Sequence, residues 1–155
     1  MATRTKKKAK AKQPRKAKKP ARPKRHQPET LRLRECSASF TANDLQRSIA
    51  WYRDVLGFTE GERWEAEGVL RGVQMKAGKV DLMLSQDDFA RGRDRVKGMG
   101  FRLWCNTVQD VDHLAADIKA RGGTLAREPE DLPWGDRAFA VTDPDGFLIT
   151  IVQAG

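Results

Sequence analysis

Two histidines, His26 and His113, and two cysteines, Cys36 and Cys105, limit the chemistry open to this chain. A two-histidine, one-carboxylate iron centre needs both imidazoles in one place. His26 lies in a Lys/Arg-rich stretch that cannot build a core, and His113 lies among Asp110, Asp112 and Asp117. We therefore expect His113 to be solvated and no such centre to form. A nucleophilic cysteine needs a base beside it, and only His113 is on offer. Both thiols are read as core residues. With no CxxC pair and no disulfide framework, they fit a reducing cytoplasm. Neither a Gly-Xaa-Ser-Xaa-Gly elbow nor a phosphate-binding loop occurs.

Among the carboxylates, Asp81 stands apart because its neighbours Val80 and Leu82 are apolar. On a strand it shares a face with Met83 and Ser85. There it could bind a cationic group or act as a base. Four tryptophans, Trp51, Trp64, Trp104 and Trp134, add aromatic surface. An indole platform suits planar or cationic ligands. Trp64 and Trp134 are placed to reach the mouth of a ligand site, although Trp134 also suits the role of a hairpin anchor.

The elements that must position these residues follow from local signals. Residues 36–42 read as a strand, and Asn43-Asp44 then cap a helix carrying Ile49, Tyr52, Val55 and Leu56 on one face. Gly57 closes the helix, as a residue that tolerates positive φ. Strands follow near 58–64, 68–76 and 79–85. The second half repeats the order. A strand over 100–106 leads through Asp110 into the helix VDHLAADIKAR, which Gly122-Gly123 ends. Strands near 124–127, 136–142 and 147–152 follow, the last two joined by Asp143-Pro144-Asp145-Gly146. Residues 86–99 form a polar connection. The expected class is α+β: tandem βαβββ modules whose curved mixed sheets enclose a trough.

Charge is unevenly placed. Residues 1–34 hold 15 Lys/Arg and one acid, and the rest of the chain is net −5, giving the overall +9. We expect a disordered basic tail over 1–34 and one folded domain over 35–155. The first 28 residues, with 13 Lys/Arg, no acid and four prolines, fit non-specific nucleic-acid or polyanion contact without base readout. No apolar run approaches the roughly 20 residues needed to span a bilayer, so no membrane partner is expected.

The stretch SFTANDLQRSIAWYRDVLGF is similar to the first strand and helix of the glyoxalase/bleomycin-resistance/extradiol dioxygenase (vicinal oxygen chelate) superfamily. Pro133-Trp134-Gly135, Ala138-Phe139-Ala140 and Asp143-Pro144-Asp145-Gly146-Phe147 resemble its final hairpin. The resemblance implies a homodimer with clefts between subunits. It also implies that metal-using relatives hold a divalent ion through four strand positions, where the ion acts as a Lewis acid. Those positions fall here on Ser37, Asp81, Phe101 (or Leu103, by a different count) and Thr150. Only Asp81 could ligate strongly.

We therefore expect no metal or other cofactor. The expected function is small-molecule binding, of the kind that includes antibiotic sequestration, with a weak preference for basic ligands. The trough lining is read as Ser37, Ser39, Thr41, Asp81, Met83, Phe101, Leu103, Trp134 and Thr150. By the same alternation Trp104 falls beneath a helix. The alternative is a metal-dependent lyase, isomerase or dioxygenase of the same superfamily.

Overall fold

The computed structural model describes residues 35–153. Contacts divide the chain into Met1–Arg34 and Glu35–Gly155; the expectation of a disordered tail concerns residues outside those described. The elements run β1 (Ala38–Ala42), α1 (Leu45–Ala50), a π-helical turn (Trp51–Val55), β2 (Thr59–Ala66), β3 (Val69–Ala77) and β4 (Val80–Gln86). They continue as β5 (Arg102–Thr107), α2 (Val111–Ala120), β6 (Leu125–Asp131), β7 (Arg137–Thr142) and β8 (Leu148–Gln153). This is the α+β repeat expected from the sequence. The sheets have orders β1-β4-β3-β2 and β5-β8-β7-β6. The first strand of each module pairs in parallel with its fourth, and the remaining pairs are antiparallel.

The two halves are built by the same local devices. Asp44 accepts the Arg47 N–H at 3.0 Å, and Asp110 accepts that of His113 at 2.8 Å. Each cap satisfies one amide that the first helical turn leaves unpaired. A glutamine at the end of each fourth strand satisfies another. Gln86 Oε1 accepts the Leu45 N–H at 3.0 Å, and Gln153 Oε1 accepts the Val111 N–H at 3.1 Å. Strand end and helix start are thus tied in both modules. Gly57, at φ +79°, turns the chain out of the π-helical turn into β2.

One core serves both modules. Phe40, Ile49, Tyr52, Met75 and Leu84 from the first belong to the same buried cluster as Val111, Ile118, Phe139, Val141 and Ile149 from the second. The helix-bearing faces therefore share their apolar surface, and the opposite faces of the sheets point away from it. The modules are also clasped by polar contacts. Asp145 in the last turn accepts from the Asn43 N–H at 2.7 Å and the Ser48 hydroxyl at 2.9 Å.

Cys36 corrects an expectation. It is exposed, because β1 begins two residues later than its apolar pattern implies. Cys105 is half-buried against the core, and burial pushes its thiol upward, away from a reactive thiolate. His113 is exposed on α2, as expected.

Candidate functional site

The face of the first sheet that turns from the core is polar and continuous. Phe40, Ala42, Val73, Met75, Leu82 and Leu84 lie in the core, so strand alternation places Ser39, Thr41, Gln74, Lys76, Asp81, Met83 and Ser85 on the other side. Pairing sets them in rows. Ser39 stands opposite Met83, which stands opposite Gln74. Thr41 meets Ser85, Ser85 meets Gly72, and Gly72 meets Trp64. A Cβ on Gly72 would come within 3.2 Å of the Trp64 ring, so the bare glycine is what lets the indole lie there. Asp81 forms an ion pair with Lys76 at 2.9 Å. Ser37 is exposed, one residue before β1.

The second sheet corrects three placements. Leu103 packs against the core, together with Cys105. Trp104 therefore lies on the other face, 42% exposed, in register with Thr150. The expectation had these two residues exchanged. Phe101 precedes β5 and meets Phe40 and Phe147 edge-on, with ring centroids 5.4 and 6.3 Å away. It sits at the seam between the modules, 44% exposed. The alternation itself is as expected, with Leu103 and Cys105 together and Trp104 opposite; what differs is which of the two faces meets the core.

Trp104 and Trp134 have ring centroids 6.2 Å apart with planes tilted by 36°. The Trp134 indole N–H donates to Asp136 at 2.9 Å, which fixes the ring. Beside Trp104 on the sheet lie buried Thr150 and Ala140, joined to it in register across β8 and β7. Of the expected lining residues, the first sheet gathers Ser39, Thr41, Asp81 and Met83 on one face, and the second gathers Thr150 and Trp134. Trp104, Gln74 and Lys76 were missed. Gln74 and Lys76 alternate with the apolar pair Val73 and Met75, a signal the sequence did contain.

The four positions implied as metal ligands can each be placed in the structure. They hold an exposed serine, an aspartate paired with a lysine, an aromatic ring at the module seam and a buried threonine. Among the described residues no group of three or more His, Cys, Asp or Glu side chains is arranged to hold a metal ion. Cavities open among the described residues. One of about 280 Å³ lies between the modules, beside Arg47, Trp51, Gly123 and Pro144. Another, about 350 Å³, opens where β1 and β4 end and includes Thr41. Among the described residues no helix is long and apolar enough to cross a membrane.

Known proteins share this architecture. Residues 36–151 match the model of the Glyoxalase/Bleomycin resistance protein/Dioxygenase superfamily. The chain is 37% identical over 122 residues to lactoylglutathione lyase GLX1 of Arabidopsis thaliana, a match covering 75% of this chain but only 42% of that protein. A probable lactoylglutathione lyase of Vibrio cholerae is 29% identical, with 71% of this chain and 83% of that protein covered. The structure of TioX from Micromonospora sp. ML1 superposes with a TM-score of 0.61 at 22% identity, covering 77% of this chain and 98% of that one. The chain belongs to the Glyoxalase/Bleomycin resistance protein/Dioxygenase superfamily.

Proposed function

We propose that this protein binds a small molecule against the two faces turned from its core, and that it does so without the divalent-ion centre of metal-using relatives. The observation that carries this reading is the donor set. Three of the four implied ligand positions are Ser37, Phe101 and Thr150, and the fourth, Asp81, is paired with Lys76. What remains is a binding surface. Gln74, Ser39 and Thr41 offer directional hydrogen bonds, Met83 adapts its shape, and Trp104 with Trp134 supplies flat aromatic area. Such a surface needs shape and a few polar groups, and no proton transfer.

The first face is one open wall, and the second exposes Trp104 and Trp134 while Thr150 and Ala140 are buried. A second copy of the chain supplies the opposing wall, which makes the working unit a homodimer. The exposed Trp64, Trp104 and Trp134 support this, since large exposed aromatics commonly mark interfaces or ligand grooves. The basic tail adds non-specific polyanion contact outside the ligand site.

The second reading, a lyase acting on lactoylglutathione, is favoured by the names of the Arabidopsis and Vibrio relatives. A thermal-shift screen of small molecules, run with and without added zinc or nickel, separates the two. A ligand that binds the folded state raises its melting temperature by mass action. The binding reading expects stabilisation that is independent of metal. Metal-dependent stabilisation together with turnover of lactoylglutathione would favour the lyase.

A further inference from the structure

The cavity where β1 and β4 end takes its walls mainly from the connection between the modules, including Asp87, Asp88, Arg91 and Arg95, with Thr41 from β1. Asp87 is buried and fully engaged. Its Oδ1 accepts the Phe89 N–H at 2.9 Å, and its Oδ2 accepts from Arg95 and from Lys97, each at 2.7 Å. Lys97 is itself buried. It donates to the Thr41 carbonyl at 3.1 Å and stands 3.9 Å from Asp145. These contacts hold the Asp87 carboxyl well below the usual carboxylate range, with Lys97 the largest cause. Asp88 is occupied by the Ala90 N–H at 2.9 Å.

Arg91, Arg95 and Lys97 thus stand among Asp87, Asp88 and Asp145, with both Asp87 oxygens and Asp88 Oδ1 already accepting hydrogen bonds. Arg95 Nη2 is held by Asp87 and lies 3.5 Å from the Thr41 hydroxyl. Its Nε is shielded from solvent and has no acceptor. Arg91 is exposed and, among the described residues, has no hydrogen-bond or ion-pair partner. Arg93 is turned elsewhere, lying 4.1 Å over the Phe89 ring. The site is pre-ordered, because the buried Lys97–Asp87 pair fixes Arg95 before any ligand arrives, and the exposed Arg91 is, among the described residues, its unpaired cation.

We propose that this cavity binds the oxyanion group, a carboxylate or a phosphate, of an acidic small molecule through Arg91, Arg95 and the Thr41 hydroxyl. The planar guanidinium matches either group. Thr41 shares its face with Met83 and Ser85, so the rest of such a ligand lies along the first sheet. The unpaired Arg91 and the unsatisfied Arg95 Nε favour an acidic group here, although the net −5 of the domain had pointed to a basic ligand. The proposal deepens the small-molecule reading and rests on it for the ligand's body, though not for the oxyanion contact.

Residue-resolved NMR of the full chain tests it, with inorganic phosphate in one arm and acetate in the other, at constant ionic strength. The tail's resonances are read separately, so its charges cannot mimic the site. The expected result is saturable shifts at the Thr41, Ala90 and Arg91 amides and at the Arg95 Nε–H. Saturation by phosphate alone or acetate alone identifies the group; either supports the site. Arg91→Gln, which breaks no internal contact, should weaken binding about tenfold, the worth of one charge-assisted hydrogen bond. Arg95→Lys keeps a charge facing Asp87 and should also weaken it, while Arg71→Gln on β3 should not. Shifts that stay linear, are confined to the tail, or are indifferent to Arg91→Gln would overturn the proposal. A screen without hits beside saturable phosphate binding would count against the small-molecule reading and leave this subsite standing. A ligand found without saturable phosphate or acetate binding would do the opposite.

Discussion

The Tyr52 hydroxyl donates to Asp143 Oδ2 at 3.0 Å, inside the protein, joining the π-helical turn of the first module to the last hairpin of the second. Asp143 Oδ1 also accepts the N–H groups of Asp145 and Phe147, at 2.9 and 2.8 Å. Burial nevertheless raises the carboxyl above its ordinary value, the hydrogen bonds offsetting only part of that cost. Tyr52 is raised as well, first by burial and then by the facing carboxylate. The modules are therefore held by a neutral phenol and a carboxyl that resists ionisation.

Tyr52→Phe should lower stability by about 1–2 kcal/mol, since it removes one donor from a buried carboxyl. The effect should depend on pH. A raised carboxyl contributes stability below its unfolded pKa and loses it as pH rises through the folded value. Wild type should thus lose stability relative to Asp143→Asn as pH rises from about 4 through the raised value. Tyr52→Phe should lose more than wild type over the same range. Urea unfolding across that range reads both slopes.

Gly98 sits at φ +72°, and a Cβ there would collide with the Gly146 carbonyl oxygen. The connection and the last turn pass each other backbone to backbone at this point. Gly98→Ala should cost more than about 2 kcal/mol, from strain at positive φ plus overpacking. Gly92→Ala has positive φ but open space around it, and should cost only about 1 kcal/mol. Denaturant midpoints of the two variants make the comparison.

Trp104→Ala should leave folding nearly intact, because the ring is 42% exposed. It should weaken a ligand identified by thermal shift about three- to tenfold, the worth of one aromatic contact. Leu103→Ala should do the reverse, lowering the melting temperature with little change in affinity, because Leu103 packs against the core. Equal effects of the two on affinity would argue against the assignment of faces.

The tail should give salt-dependent retention of nucleic acid. Full-length protein should bind at low salt and release at high salt, as counterion release demands. A chain beginning near Leu31 should not bind under either condition. Filter binding of both forms is sufficient, and equal retention would remove the role proposed for the 13 Lys/Arg of residues 1–28.

Short-range signals made most of the architecture legible. Asp44, Asp110 and Gly57 act through neighbours a few residues away, and each was read correctly. The repeat was visible because both modules use the same cap and stop. The glutamines at the strand ends were not read. Their role needs Gln86 beside Leu45 and Gln153 beside Val111, contacts that only the folded chain creates. Lys97 escaped notice for the same reason, its burial depending on Asp87 and the Thr41 carbonyl. The second wall was misread because alternation separates Leu103 from Trp104 without saying which of the two faces the core, a choice made only by packing against the other module.

The proposed absence of a divalent-ion centre on these residues is open to direct test. Elemental analysis of the purified full chain, after exposure to zinc, nickel, iron and manganese and then dialysis, tests it most directly. Only substoichiometric metal is expected, unchanged by Asp81→Ala. One tightly held ion per chain that is lost in Asp81→Ala would contradict it.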